Sequence, residues 1–314
     1  MRVASLLPSA TELVCAVGGR ENLVGVSHEC DFPAGVEALP VLTRTKANFP
    51  RASGAIDRSV RQVLKDALAV YDIELERLRE VRPSVIVTQD LCDVCAVSLS
   101  DVQRALEQTG FPDTQVLSCR PTRLADVWSD LRRVGAALGR TEAAERAAGQ
   151  FEARVAAIGA ETARIGERPS VLTIEWIDPV MIGGTWMPEL VELAGGMALV
   201  TKPGQHAPTL DLEQLMALDP DVVLIKPCGF GLDRTEEELA LLADLLPWGT
   251  WSAVSNGRVF LADGNAYFNR PGPRLVESLE ILSACVHPER MSHFGEKHRD
   301  GMRRVTPDLR LERF

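Results

Sequence analysis

Five of the seven cysteines follow short apolar runs that read as β-strands. Cys30 follows residues 23–26, Cys92 and Cys95 follow 85–88, Cys119 follows 115–118 and Cys228 follows 222–225. Ligands of parallel α/β sheets bind outside the carboxyl ends of the strands, so these thiols fall on the side where chemistry is expected. Cys92-x-x-Cys95 has the spacing common in metal and redox sites. With Cys30 and Cys228 it supplies four soft ligands for zinc or an iron–sulfur cluster, with His28 beside them. The same Cys92–Cys95 pair also suits a thiol redox sensor. Cys15 and Cys285 lie in apolar helical patterns and read as core.

Acids and aromatics gather at the same ends. Ser27-His28-Glu29-Cys30-Asp31 follows one strand pattern, and Glu175-Trp176-Ile177-Asp178-Pro179 follows another. Gly183-Gly184-Thr185-Trp186-Met187-Pro188 comes soon after. Two tryptophans beside carboxylates in a glycine-containing loop suit a flat ligand with polar edges. Residues 263–274 hold Asn265, Tyr267, Phe268, Asn269 and Arg270, again beyond a strand. The ligand-binding candidates are therefore His28, Glu29, Glu175, Trp176, Asp178, Trp186, Asn265, Tyr267, Asn269 and Arg270, with Cys30, Cys92, Cys95 and Cys228 as metal candidates. If the cysteines hold a metal, Glu29, Glu175 or Asp178 are the groups to act on a bound molecule. No Gly-x-Gly-x-x-Gly, Walker or Gly-x-Ser-x-Gly sequence is present.

The elements that must position these residues alternate strand with helix, which predicts parallel sheets. Strands are expected at 3–7, 23–26, 85–88, 115–118, 171–175, 222–225 and 258–261. Residues 126–165 are rich in Ala, Arg, Glu and Leu without proline, which predicts helix with a break near 138–141. The second part would be a connector of roughly 35 Å at about 1.5 Å per residue. Ser9-x-x-Glu12 reads as a capping box. The halves also repeat. Glu12-Leu13-Val14-x-x-x-Gly18-Gly19 recurs as Glu189-Leu190-Val191-x-x-x-Gly195-Gly196, and Leu75-Glu76-x-Leu78 followed by Pro83 recurs as Leu212-Glu213-x-Leu215 followed by Pro220. Two blocks in the same order imply a duplicated lobe. The expected architecture is α/β: two Rossmann-like lobes, 1–122 and 168–314, joined by a long backbone helix at 123–167. The ligand cleft lies between the lobes, and a terminal helix returns toward the first.

Composition limits the function. The chain has 314 residues and a formal charge of 34 − 44 = −10, and its only basic segment, 299–310, is interleaved with acids. This excludes an electropositive nucleic-acid face. No apolar run reaches eighteen residues, so no membrane insertion is expected. Met1 to Pro8 runs directly into a strand pattern without a charged, then apolar, export signal, which predicts a cytoplasmic protein.

Several blocks carry a resemblance. These are Ser5-Leu6-Leu7-Pro8-Ser9-Ala10-Thr11-Glu12, Gly18-Gly19 with Leu23-Val24-Gly25-Val26-Ser27, and the run from Thr88-Gln89-Asp90 to Ser98. Ser27-His28-Glu29-Cys30-Asp31 and the run from Asn265 to Arg274 complete them. Through these the chain resembles the helical-backbone periplasmic substrate-binding proteins of ABC importers for vitamin B12, haem and iron chelates. It is most similar to the group labelled cobalamin-binding proteins. The resemblance implies a stiff hinge helix, small domain closure, a corrinoid or other metal chelate held between lobes, and no catalysis. Trp176, Trp186, Tyr267 and Phe268 would pack on that ligand, and His28 or a cysteine would approach its metal. A protein retained in the cytoplasm would not deliver ligand to the outer face of an importer, so the family's importer partner is not carried over.

Overall fold

A computed structural model describes residues 1–46, 50–65, 70–90 and 97–314. The chain divides into two compact units. The first comprises Met1–Arg51, Ala55–Pro121 and Ala125–Gln150, and the second Ala52–Gly54, Thr122–Leu124 and Phe151–Phe314.

Unit 1 contains β1 (Val3–Ser5), α1 (Pro8–Ala16), β2 (Leu23–Gly25), β3 (Thr43–Thr45), α2 (Ser53–Lys65), β4 (Tyr71–Ile73), α3 (Leu75–Val81), β5 (Val85–Gln89), α4 (Leu99–Thr109), β6 (Gln115–Cys119) and α5 (Leu124–Ala137). Its main sheet has the order β2-β1-β5-β6 and every pair in it is parallel. All five residues of β5 are buried, as expected of a parallel strand covered on both faces. The core joins Ala4, Leu6, Leu78, Ile86, Val102 and Leu106. β3 and β4 form a separate antiparallel pair that the sequence pattern did not announce.

The helical stretch breaks where expected. After α5, Gly139 adopts a left-handed φ of 67°, and α6 runs over Thr141–Ala163. A Cβ on Gly135 would lie 2.2 Å from Ala144 Cβ, so glycine lets the two helices approach. Arg132 Nε donates to Glu145 Oε2 at 2.9 Å across the same turn. α6 thus has a packed neighbour at its start, which the sequence reading had not given it. The division between the units falls within α6, after Gln150.

Unit 2 continues with β7 (Ser170–Trp176), β8 (Met181–Ile182), α7 (Met187–Leu193), β9 (Met197–Ala198), α8 (Leu212–Met216), β10 (Val222–Ile225), α9 (Leu232–Glu236), α10 (Leu239–Leu245), α11 (Ser252–Ser255), β11 (Val259–Ala262), α12 (Leu275–Val286), α13 (Ser292–Lys297), β12 (Met302–Val305) and β13 (Leu311–Glu312). β9, β7, β10 and β11 pair in that order and in parallel. This is the order of β2, β1, β5 and β6 in unit 1, so the sequence repeat is a structural repeat. Its helix ends match as well. Gly19 N donates to Val14 O at 2.8 Å and Gly196 N to Val191 O at 2.9 Å. Gly18 and Gly195 before them hold φ of 75° and 83°, the left-handed cap that favours glycine.

Three expectations are corrected. Unit 2 is a mixed sheet, because β8, β12 and β13 join it antiparallel. The basic 299–310 segment is more than solvated surface: it holds β12, which lies between β11 and β13, with Met302 and Val305 buried on either side of half-buried Arg303 and exposed Arg304. The chain therefore ends in strands on this sheet, and the long helix before them, α12, packs on α7, α13 and β10 of its own unit. Finally, Ser9 and Glu12 make no capping box. Pro8 occupies the first helical turn and Leu7 the cap, with no side-chain bond. Among the described residues, no helix is long and apolar enough to cross a membrane.

Candidate functional site

At the end of β2, Ser27 is buried and His28 is exposed. His28 N donates to Thr43 Oγ1 at 3.1 Å, and the Thr43 hydroxyl donates to Ser27 Oγ at 3.0 Å. His28 Nδ1 lies 2.8 Å from the same Thr43 oxygen. The Thr43 proton is already spent on Ser27, so this contact needs a proton on Nδ1. Neutral His28 thereby keeps its lone pair on Nε2, the form in which histidine ligates metals. Tyr71 packs 5.4 Å from the imidazole, centroid to centroid, and its hydroxyl donates to Glu29 Oε1 at 3.0 Å. Thr43 and Tyr71 belong to the β3–β4 pair, and sequence reasoning missed both. Threonine and tyrosine in so short a strand give no periodic signal.

Of the four cysteines expected as metal ligands, Cys30 and Cys228 lie among the described residues. Cys30 is buried, with Sγ 3.1 Å from Thr11 Oγ1. Cys228 is exposed. Cys92 and Cys95 lie outside the described residues. Among the described residues no three His, Cys, Asp or Glu side chains gather as a metal site, so the zinc and iron–sulfur readings have no structural support. Burial raises the Cys15 thiol, and burial with the Asp130 carboxylate nearby pushes Cys119 up to about 12. Burial raises fully enclosed Cys285 as well. Thiol reactivity follows thiolate content and access. Of the five described cysteines, Cys228 is expected to react first with an aromatic disulfide reagent at pH 8. Cys119 and Cys285 should react only on unfolding. Mass mapping of labelled peptides checks this, and early labelling of Cys119 would refute it.

In unit 2 the strand ends hold a polar network. Lys226, directly after β10, is fully buried. Its Nζ donates to Glu175 Oε2 at 3.0 Å and to Asn269 Oδ1 at 2.8 Å. Asn269 Nδ2 donates to the carbonyls of Lys226 and Gly264, each at 2.9 Å. Glu175 Oε2 also accepts from Gly184 N at 3.3 Å. Half-buried Trp176 packs on Phe230 at 5.3 Å between ring centroids, and its indole nitrogen donates to Asp178 O at 3.0 Å.

Two aromatics expected on the ligand surface are core residues instead. Trp186 is 6% exposed and donates its indole N–H to Phe268 O at 2.7 Å, while Phe268 is 0% exposed. Both sit in loops, but tertiary packing covers them. Arg270 is also buried and donates to Asn265 Oδ1 at 2.8 Å. Tyr267 is half-buried beside His298 and under the Arg274 guanidinium. Burial, with the Glu277 carboxylate adding to it, raises its hydroxyl above the usual tyrosine value. Asp178 lines a groove of about 240 Å³ with Val180, Leu210 and Leu215, smaller than the roughly 300–1,000 Å³ of pockets for drug-sized ligands. The structure thus joins Glu175, Asn269 and Lys226 into one network and His28 and Glu29 into another.

The chain belongs to the periplasmic binding protein family, whose model matches residues 3–266. It is 24% identical over 283 residues to the vitamin B12-binding protein of Photorhabdus laumondii, covering 90% of this chain and 86% of that protein. The vitamin B12-binding protein of Yersinia pestis is 24% identical over 292 residues, covering 90% and 84%. Among solved structures, a periplasmic heme binding protein from Pseudomonas aeruginosa superposes with a TM-score of 0.67 at 23% identity, covering 91% and 92%. The periplasmic vitamin B12 binding protein of Vibrio cholerae gives 0.64 at 20%, covering 91% and 96%. These likenesses are of fold.

Proposed function

We propose that the chain is a non-catalytic binding protein for a corrinoid or a related tetrapyrrole metal chelate, held at the carboxyl ends of its strands. The observation that carries this reading is His28. The imidazole is exposed, fixed through Nδ1 and by Tyr71, and keeps Nε2 for a metal that has an open axial position. Trp176 adds a half-buried aromatic surface at the end of β7, and Glu29, Glu175, Asn265 and Tyr267 add polar groups for the ligand edge. The vitamin B12 and heme binding named for its relatives supports the same chemical class.

Calorimetry with diaquocobinamide, hydroxocobalamin and haemin tests the proposal. At least one is expected to bind, and His28→Ala to weaken it about tenfold, roughly 1.4 kcal/mol. No heat with any of the three at high micromolar concentration would overturn the reading.

A further inference from the structure

We propose that Lys226 is the positioning residue of the unit 2 ligand surface, an inference that rests on the binding function above. A lysine with no exposed surface is costly to fold, because burying an ammonium removes its hydration. Well-packed apolar residues commonly serve a core as well as a buried ion pair does, or better. The fold of β10 therefore does not explain the side chain. Its bonds do. Through Glu175 Oε2, Nζ reaches the end of β7, where Trp176 follows, and the same oxygen holds Gly184 N. Through Asn269 Oδ1 it reaches the 263–270 loop, and the Asn269 amide returns to the carbonyls of Lys226 and Gly264. Three segments separate in sequence meet at one ammonium. Two of them carry Trp176, Asn265 and Tyr267. Nζ touches no exposed surface itself, so it acts through the loops it ties, and it orders them before a ligand arrives.

The test compares Lys226→Met with the double variant Lys226→Met/Glu175→Gln, which also removes the carboxylate left without its cation. In Lys226→Met, amide exchange over residues 183–186 and 263–270 is expected to speed at least tenfold, with circular dichroism unchanged. Affinity for the best of diaquocobinamide and haemin should fall about thirtyfold, mostly through faster dissociation. The double variant should regain most of the lost melting temperature while keeping fast exchange and weak binding. A structural role alone would restore slow exchange together with the melting temperature, and that result would overturn the proposal. So would unchanged exchange in Lys226→Met. Exchange needs no ligand, so wild-type protein that binds neither probe defeats the binding function separately from the ordering of the loops by Lys226.

Discussion

Replacing Glu280 with glutamine is expected to lower the unfolding free energy by about 3 kcal/mol at pH 7. Glu280 lies within α12, a helix buried on nearly every side, and is itself 1% exposed. Arg154 donates to Oε1 from Nε at 3.0 Å and from Nη2 at 2.6 Å. Lys297 reaches Oε2 at 2.5 Å and His298 reaches it at 2.7 Å. One carboxylate therefore ties α6, α12 and α13 together. Burial alone would raise its pKa. The bonds from His298, Lys297 and Arg154 outweigh burial and hold it at about 2, against an ordinary 4.5. A gap of that size is worth about 3 kcal/mol at 1.36 kcal/mol per pKa unit. The folded value is depressed, so this stability is fully present above pH 4.5 and is lost as pH falls toward 2. Glutamine keeps the volume but leaves the basic groups facing one another. In a domain of this size the melting temperature should fall by about 6–12 °C, and the acid sensitivity of wild type between pH 4.5 and 2 should flatten. Lys297→Met, which removes a half-exposed partner, should cost about 1 kcal/mol or less. Equal losses in the two variants would show that the carboxylate is not the hub.

Most of the fold was legible because its central strands are continuous apolar runs. Val85–Gln89 and Val222–Ile225 are buried on both faces, and burial of that kind writes itself into sequence. The glycine pairs 18–19 and 195–196 were legible for a different reason: the first of each pair holds a left-handed cap that favours glycine, and a Cβ on the second would crowd Val14 O or the Val171 side chain. What was missed is short or charged. β8 and β9 have two residues each, too few for a period. Met302-Arg303-Arg304-Val305 sets its two buried residues three apart around two arginines, so no period-2 alternation marks it as a strand.

The candidate site was legible by address rather than by role. Looking beyond the strands found His28, Glu175, Trp176 and Asn269. It did not separate groups that face solvent from groups that bind the protein itself, since Trp186, Phe268 and Arg270 occupy loops yet are buried. Lys226 was passed over because lysine ordinarily marks surface. Its position, directly after four buried residues and before Pro227, was the available signal.

Gly264→Ala is expected to have an equally large effect, and it joins fold and site at one atom. A Cβ at residue 264 would lie 2.1 Å from Pro227 O and 2.7 Å from both Lys226 C and Lys226 O. All three are backbone atoms, so no side-chain rotation can make room. The loop must lift off the end of β10. That movement breaks the bond from Asn269 Nδ2 to the Lys226 carbonyl, and with it one side of the Lys226 network. Overpacking against rigid backbone typically costs about 1–3 kcal/mol, and the lost hydrogen bonds of a buried network add about 1 kcal/mol more. Urea unfolding should therefore place Gly264→Ala about 2–4 kcal/mol below wild type. Gly231 gives the control. It lies in the neighbouring loop, and a Cβ there would meet only Asp263 Oδ2, at an ordinary 3.8 Å. Gly231→Ala should stay within about 1 kcal/mol of wild type. If Gly264→Ala were equally mild, the 263–270 loop would have to shift easily, and a loop that shifts easily does not need the Lys226 ammonium to hold it.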